Sequence, residues 1–206
     1  MKQKLTSVLA ISVILFGACN NSRTKNEHEG HEVNKDTVQH VTTTDDKEIK
    51  AVAVTYTNVD AKAAASLTEI VNHYLYIKNA LANDNSDEAA SGAKALGKAM
   101  NGLDKSLLTA DQKKVYDEIE EDLKEHAEHI GKSKIDHQRE HFSMMSEDIY
   151  DLVKAFGGGQ PLYHEHCPMY KKDRGGAMWL SETKDIKNPY FGNEMPECGS
   201  VEEIIK

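Results

Sequence analysis

The sequence predicts a mainly α protein: an antiparallel four-helix bundle followed by a small irregular/β C-terminal module rich in cysteine and methionine. Three observations carry that expectation. Apolar residues recur at threes and fours between Asp60 and Phe156, the period of one helix face. Turn signals divide this stretch into four segments with short connections, which favours antiparallel neighbours. Gly157-Gly158-Gly159 then ends the helical pattern, and glycine and proline punctuate the remainder as they do short strands and turns.

The composition bounds the function before any motif is read. A chain of 206 residues has room for one domain or two small ones. Its formal charge of −9 argues against a phosphate-tracking surface, so nucleic acid is not an expected partner. A mean hydropathy of −0.61 and a single long apolar run, at the N-terminus, exclude a multi-pass membrane protein.

Residues 1–18 read as an address. Lys2 and Lys4 precede the largely apolar run from Leu5 to Phe16, and the small residues Gly17 and Ala18 precede Cys19. A basic start, an apolar centre and small residues before a cleavage point make a secretory signal. Small residues directly before a cysteine resemble the lipobox of bacterial lipoproteins. That resemblance implies that Cys19 becomes the lipid-bearing N-terminus of a protein anchored in the cell envelope and facing the periplasm. Removing Lys2 and Lys4 with the signal takes the formal charge from −9 to −11.

Residues 19–50 are polar and lack an apolar period, which predicts a disordered tether. His28, His31 and His40 lie there among carboxylates. They offer weak binding to a divalent or cupric ion, or simply a solvated spacer.

Residues 51–159 hold the predicted bundle. The first stripe is Leu67, Ile70, Val71, Tyr74, Ile77 and Leu81, broken by Asn83-Asp84-Asn85. Ser86 or Asp87 caps the second helix, whose stripe is Ala89, Ala93, Leu96, Met100 and Leu103. Thr109 and Gln112 fit a capping box for the third, with Val115, Ile119, Leu123, His126 and Ile130 on one face. Phe142, Met145, Ile149, Leu152 and Phe156 form the fourth stripe. Neither late helix carries the Glu-x-x-His pair of a di-iron bundle, and there is no His-Glu-x-x-His. Asp122/His126 and Glu125/His129 are spaced i,i+4, as are His137 and His141. These histidines read as buried rings paired with carboxylates, or as a second metal or enzyme site built from His126, His129, His137 and His141.

Residues 160–206 carry the chemistry. Cys167 and Met169 are separated only by Pro168, and Met195 and Cys198 bracket Pro196 and Glu197. A thiolate and a thioether in each of two turns make a soft donor set suited to Cu(I) or Ag(I). His164 and His166 add borderline nitrogens beside the first pair. The expected donors are therefore Cys167, Met169, Met195 and Cys198, with His166 ahead of His164. Cys167 and Cys198 fit a disulfide equally well, closing a loop worth ~3–4 kcal/mol in the chain-entropy model. The methionines then become core filler.

A resemblance bears on that choice. Tyr163 with Cys167-Pro168-Met169, then Trp179-Leu180-Ser181, Asn188-Pro189-Tyr190-Phe191-Gly192 and Met195 with Cys198-Gly199, looks like an uncharacterised family of exported bacterial domains. The upstream His137-Gln138-Arg139-Glu140-His141-Phe142 and Ser146 are similar to it as well. Its members are a helical bundle with a Cys-Pro-Met tail. They occur as lipoproteins or joined to periplasmic adaptors of copper/silver efflux pumps. The resemblance covers roughly residues 51–201 and implies heavy-metal handling by association, with an efflux adaptor as partner. Nothing in the sequence reads as an activated nucleophile or a placed carboxylate pair, so no catalysis is expected. The reading is a lipid-anchored envelope protein that binds Cu(I) or a similar soft ion for sequestration or transfer. The alternative is a structural or interaction lipoprotein stapled by Cys167 and Cys198.

Overall fold

The computed structural model describes residues 49–206. The predicted signal, Cys19 and nearly all of the predicted tether, with His28, His31 and His40, lie outside the described residues. The described chain is mainly helical, with four helices and a small sheet of four strands. No helix among the described residues is long and apolar enough to cross a membrane.

The four helices fall where the apolar period and the turn signals place them. The first, α1 (Ala61–Ala82), starts on Asp60, whose carboxylate accepts the amides of Lys62 and Ala63. In α2 (Ser86–Gly102) the cap is Asn85, not Ser86 or Asp87; its side chain accepts the Glu88 amide at 3.1 Å. In α3 (Ala110–Lys132) Thr109 and Gln112 satisfy each other's amides as a capping box. The last, α4 (Ile135–Phe156), ends on Gly157, whose φ of +83° no branched side chain adopts cheaply. Each helix packs on its sequence neighbour, and α4 also touches α1.

The sheet draws on both ends of the described chain. Its order is β1 (Lys50–Val52), β4 (Ser200–Ile205), β2 (Leu162–Cys167) and β3 (Ala177–Ser181). β1 runs parallel to β4, and β2 is antiparallel to both of its neighbours. The expected division between residues 51–159 and 160–206 therefore does not isolate the sheet, because one strand precedes α1. The chain after β1 fastens to α4, with the Thr55 and Tyr56 amides donating to Lys154 and Ala155 carbonyls at 2.9 and 2.8 Å.

Helices and sheet share one core. Trp179, Leu180, Leu162, Cys167 and Ile205 belong to the same buried cluster as the four helix stripes. Tyr74 ties the layers together. Its hydroxyl lies 2.9 Å from Ser146 Oγ on α4 and accepts the Leu180 amide of β3 at 2.9 Å.

Candidate metal sites

Strand pairing brings the two cysteines together. Cys167 ends β2, and His166 stands opposite Ser200 at the start of β4. The end of β2 therefore meets the turn that delivers Cys198. The two Sγ atoms are 3.0 Å apart, and both residues are free thiols.

Asn188 holds that turn. The residue is fully buried. Its Nδ2 donates to the Cys198 carbonyl at 2.6 Å, and its own amide donates to the Pro196 carbonyl at 2.9 Å. Its Oδ1 accepts the amides of Tyr190 and Phe191 at 2.8 and 3.1 Å. The Cys198 amide closes the turn onto the Met195 carbonyl at 3.2 Å. Gly199 passes so close to Trp179 that a Cβ there would collide with the indole.

Burial pushes the Cys198 thiol up to about 11, and the hydrogen bond and charge of Cys167 act in the same direction. The thiol is therefore protonated near neutral pH, and a metal ion must displace that proton to bind. The Met169 main-chain amide works the other way, as a donor to the Cys198 sulfur.

The other predicted donors are placed unequally. Met169 sets its backbone against Cys198, while its side chain is 49% exposed. Met195 is half-buried at the start of the Cys198 turn. His166 precedes Cys167 on a strand, so the two side chains leave opposite faces. His166 Nε2 lies 3.0 Å from the Gly175 carbonyl, and its Nδ1 faces Glu202 at 3.4 Å. His164 Nδ1 faces the same carboxylate at 3.6 Å. The imidazoles thus share Glu202 on β4, while the sulfurs share the other side of β2.

Two buried ionisable side chains are not foreseen from the sequence. Glu165 is fully buried opposite Trp179, and burial raises its carboxyl to about 8 despite the opposing pull of Lys78. Lys78, 1% exposed, pairs with Glu182 at 2.8 Å and reaches Ser181 at 3.4 Å. Charged residues are buried this way only when a partner comes with them. Lys78 finds that partner in Glu182, 104 positions further along the chain, whereas neither Glu165 carboxyl oxygen has a hydrogen-bond partner, which fits a neutral carboxyl; no local pattern announces either.

The four helix histidines gather where α3 ends and α4 begins. His126 Nδ1 lies 3.1 Å from His141 Nδ1, and His126 Nε2 faces Asp148 at 3.7 Å. Burial, reinforced by His129, His126 and His137, lowers His141 to about 4, and burial also lowers His126. Burial raises Asp148 to about 7, with nearby carboxylates adding to the shift. A separate groove of about 510 Å³ between α2 and α3 is lined by Lys94, Gly97, Lys98, Lys124 and Glu128 among others, with no histidine, cysteine or methionine.

Residues 70–160 match the family described as "Protein of unknown function (DUF3347)". The match runs from within α1 to just beyond α4, so the helical part is similar to an uncharacterised domain family and the C-terminal strands lie outside the match. No curated protein and no solved structure matches the chain.

Proposed function

We propose that this chain is a lipid-anchored cell-envelope protein that binds a soft heavy-metal ion at Cys167 and Cys198. Its cargo is Cu(I), with Ag(I) as a mimic, held for sequestration or for transfer to an efflux adaptor. The observation that carries this reading is the 3.0 Å separation of two cysteine sulfurs, one at the end of β2 and one in a turn 31 positions later. Two thiolates satisfy a soft monovalent ion, and Met169, two positions after Cys167 and exposed, is a further thioether of the same chemical preference. The resemblance of the tail to domains found beside copper/silver efflux adaptors points the same way.

The test is anaerobic Cu(I) titration of the reduced chain beside a Cys167→Ser/Cys198→Ser variant. One Cu(I) per chain that the variant fails to take up is the expected result. Equal uptake by both proteins refutes the assignment.

The complete burial of Cys167 favours a second reading, a permanent disulfide in a structural lipoprotein. Thiol counting in denaturant, on protein purified without reductant, separates the two. Two titratable thiols support the metal reading, and none supports the staple.

A further inference from the structure

The α3–α4 junction carries a second donor set, chemically unlike the sulfurs. His129 from the last turns of α3, and His137 and His141 from the first turns of α4, each bring a ring nitrogen to within 4.8 Å of the other two. Only Ser133 and Lys134 separate the helices, so these turns are neighbours. The i,i+4 spacing sets His137 and His141 on one face.

The geometry at each ring is informative. His137 Nε2 stands 3.3 Å from His129 Nδ1. Two imidazole nitrogens on a tetrahedral ion, at ~2.0–2.1 Å each, are separated by about that distance. The nitrogens turned away from this edge have partners of their own. His137 Nδ1 meets Glu140 at 3.0 Å, and His129 Nε2 faces Glu125 at 3.9 Å. His141 Nδ1 meets His126 Nδ1, which in turn leads to Asp148. A metal-bound histidine takes this form: one nitrogen faces the ion and the other is oriented by a hydrogen-bond partner, as His137 and His141 show, while Glu125 stays beyond hydrogen-bond distance of His129. Carboxylates surround the cluster, and none lies within the trio itself.

We propose that His129, His137 and His141 bind a divalent transition-metal ion such as Zn(II) or Cu(II), with His126 orienting His141. Imidazole is a borderline donor, which favours these ions over Cu(I) held by sulfur and over Mg or Ca held by oxygen. Three protein ligands leave a fourth position for water or an exchanging ligand. His129 and His137 are 44% and 47% exposed, so the ion enters from solvent. The rings of His129 and His141 stack at 4.0 Å and 7°, which sets their lone pairs side by side. This site is independent of the cysteine pair and stands or falls without it.

The test uses the full chain carrying Cys167→Ser/Cys198→Ser, so that sulfur takes no part. Zn(II) uptake is measured by equilibrium dialysis, and Co(II) gives a visible tetrahedral spectrum. The same chain with His129→Ala/His137→Ala is the comparison; far-UV circular dichroism checks its helix content, and the single His137→Gln variant repeats the measurement. His28, His31 and His40 are present in every arm, and His73→Ala serves as the control.

One Zn(II) per chain is expected beyond what the double histidine variant retains. Affinity should fall at least about 100-fold, the upper range for losing even an orienting partner. The Co(II) spectrum should be lost with it, while His73→Ala leaves both unchanged. Equal uptake by the parent and the histidine variants overturns the proposal, as does a loss of the same size in His73→Ala.

Discussion

Oxidising Cys167 and Cys198 closes a loop whose ends are 31 positions apart. For a loop of that length the chain-entropy model removes about 12 cal/mol/K from the unfolded ensemble, or ~3.7 kcal/mol at 25 °C. The folded side asks little of the backbone, because the β2–β4 register and Asn188 already hold both residues in place. A domain of this size gains ~2–4 °C in midpoint per kcal/mol, so the oxidised chain should melt roughly 7–15 °C above the reduced one. Thermal melts followed by circular dichroism, with and without a phosphine reductant, read this directly. The Cys167→Ser/Cys198→Ser variant should show no response to reductant. A shift below about 3 °C, ~1 kcal/mol on the same scale, would refute the reasoning that the fold holds the pair ready. So would an equal shift in the double variant. The same measurement bears on function, because an oxidised pair offers no thiolate, and Cu(I) uptake should then follow reduction.

Other perturbations test the same geometry. The Cys198 thiol is held up to about 11 by burial and by Cys167, so below that pH Cu(I) must displace its proton. Apparent affinity should therefore rise at least tenfold per pH unit between pH 6 and 8, and a flat profile in competition titrations would show that Cys198 is not a donor. Glu165 titrates near 8 in the fold against an ordinary 4.5. Unfolding therefore releases its proton between these values, and the stability of the neutral form is full below about 4.5 and declines as pH rises towards 8. Glu165→Gln keeps the neutral form throughout, so its advantage over the parent should grow by ~1.4 kcal/mol per unit across that window. Urea melts at three pH values check this, and a difference that stays constant with pH would count against a neutral Glu165.

The helices were legible because their determinants are local. Leu67, Ile70, Val71, Tyr74, Ile77 and Leu81 are all buried, as their spacing requires. Thr109 and Gln112 lie three residues apart and cap each other. The α2 cap falls at Asn85, one or two residues before the expected Ser86 or Asp87, because all three are good cap formers and only the backbone chooses among them. β1 was not legible. Its three residues are too few to carry a period of their own, and its partner is the last strand of the chain, about 150 positions away. The placement of the expected donors was legible in part. Closeness in sequence suggested that His166 stands beside Cys167, but in a strand closeness in sequence means opposite faces. The meeting of Cys167 with Cys198, and of His129 with His137, depends on pairings that no window of sequence contains.

Arg139 joins Tyr74 and Lys78 among the side chains that link the tail to the helices. Arg139 rises from the same turns of α4 as His137 and His141. Its Nε donates to the Pro189 carbonyl at 2.9 Å, and its terminal nitrogen donates to the Leu81 carbonyl at 3.1 Å and to Asp84 at 2.5 Å. Asp84, in the α1–α2 turn, accepts the Asn193 amide and side chain at 3.0 and 2.8 Å. The Asn193 amide and Arg139 hold the Asp84 carboxyl below the usual range. Gly192 lies against this pair at φ +51°, where a Cβ would strike both Asp84 and Arg139. The segment from Asn188 to Asn193 is thus clamped on the helices, and Asn188 passes that constraint to Cys198. Much of the tail motif that reads as metal chemistry is therefore a fastening that positions one sulfur. Arg139→Ala removes donors to two carbonyls and a carboxylate, at a cost of roughly 2–4 kcal/mol given ~1.5–3 for a charged hydrogen bond. Hydrogen exchange should show the loss first at residues 188–198, with α1 to α4 protected for longer. Protection that falls evenly along the chain would mean that Arg139 serves the core as a whole and does not specifically anchor the cysteine turn.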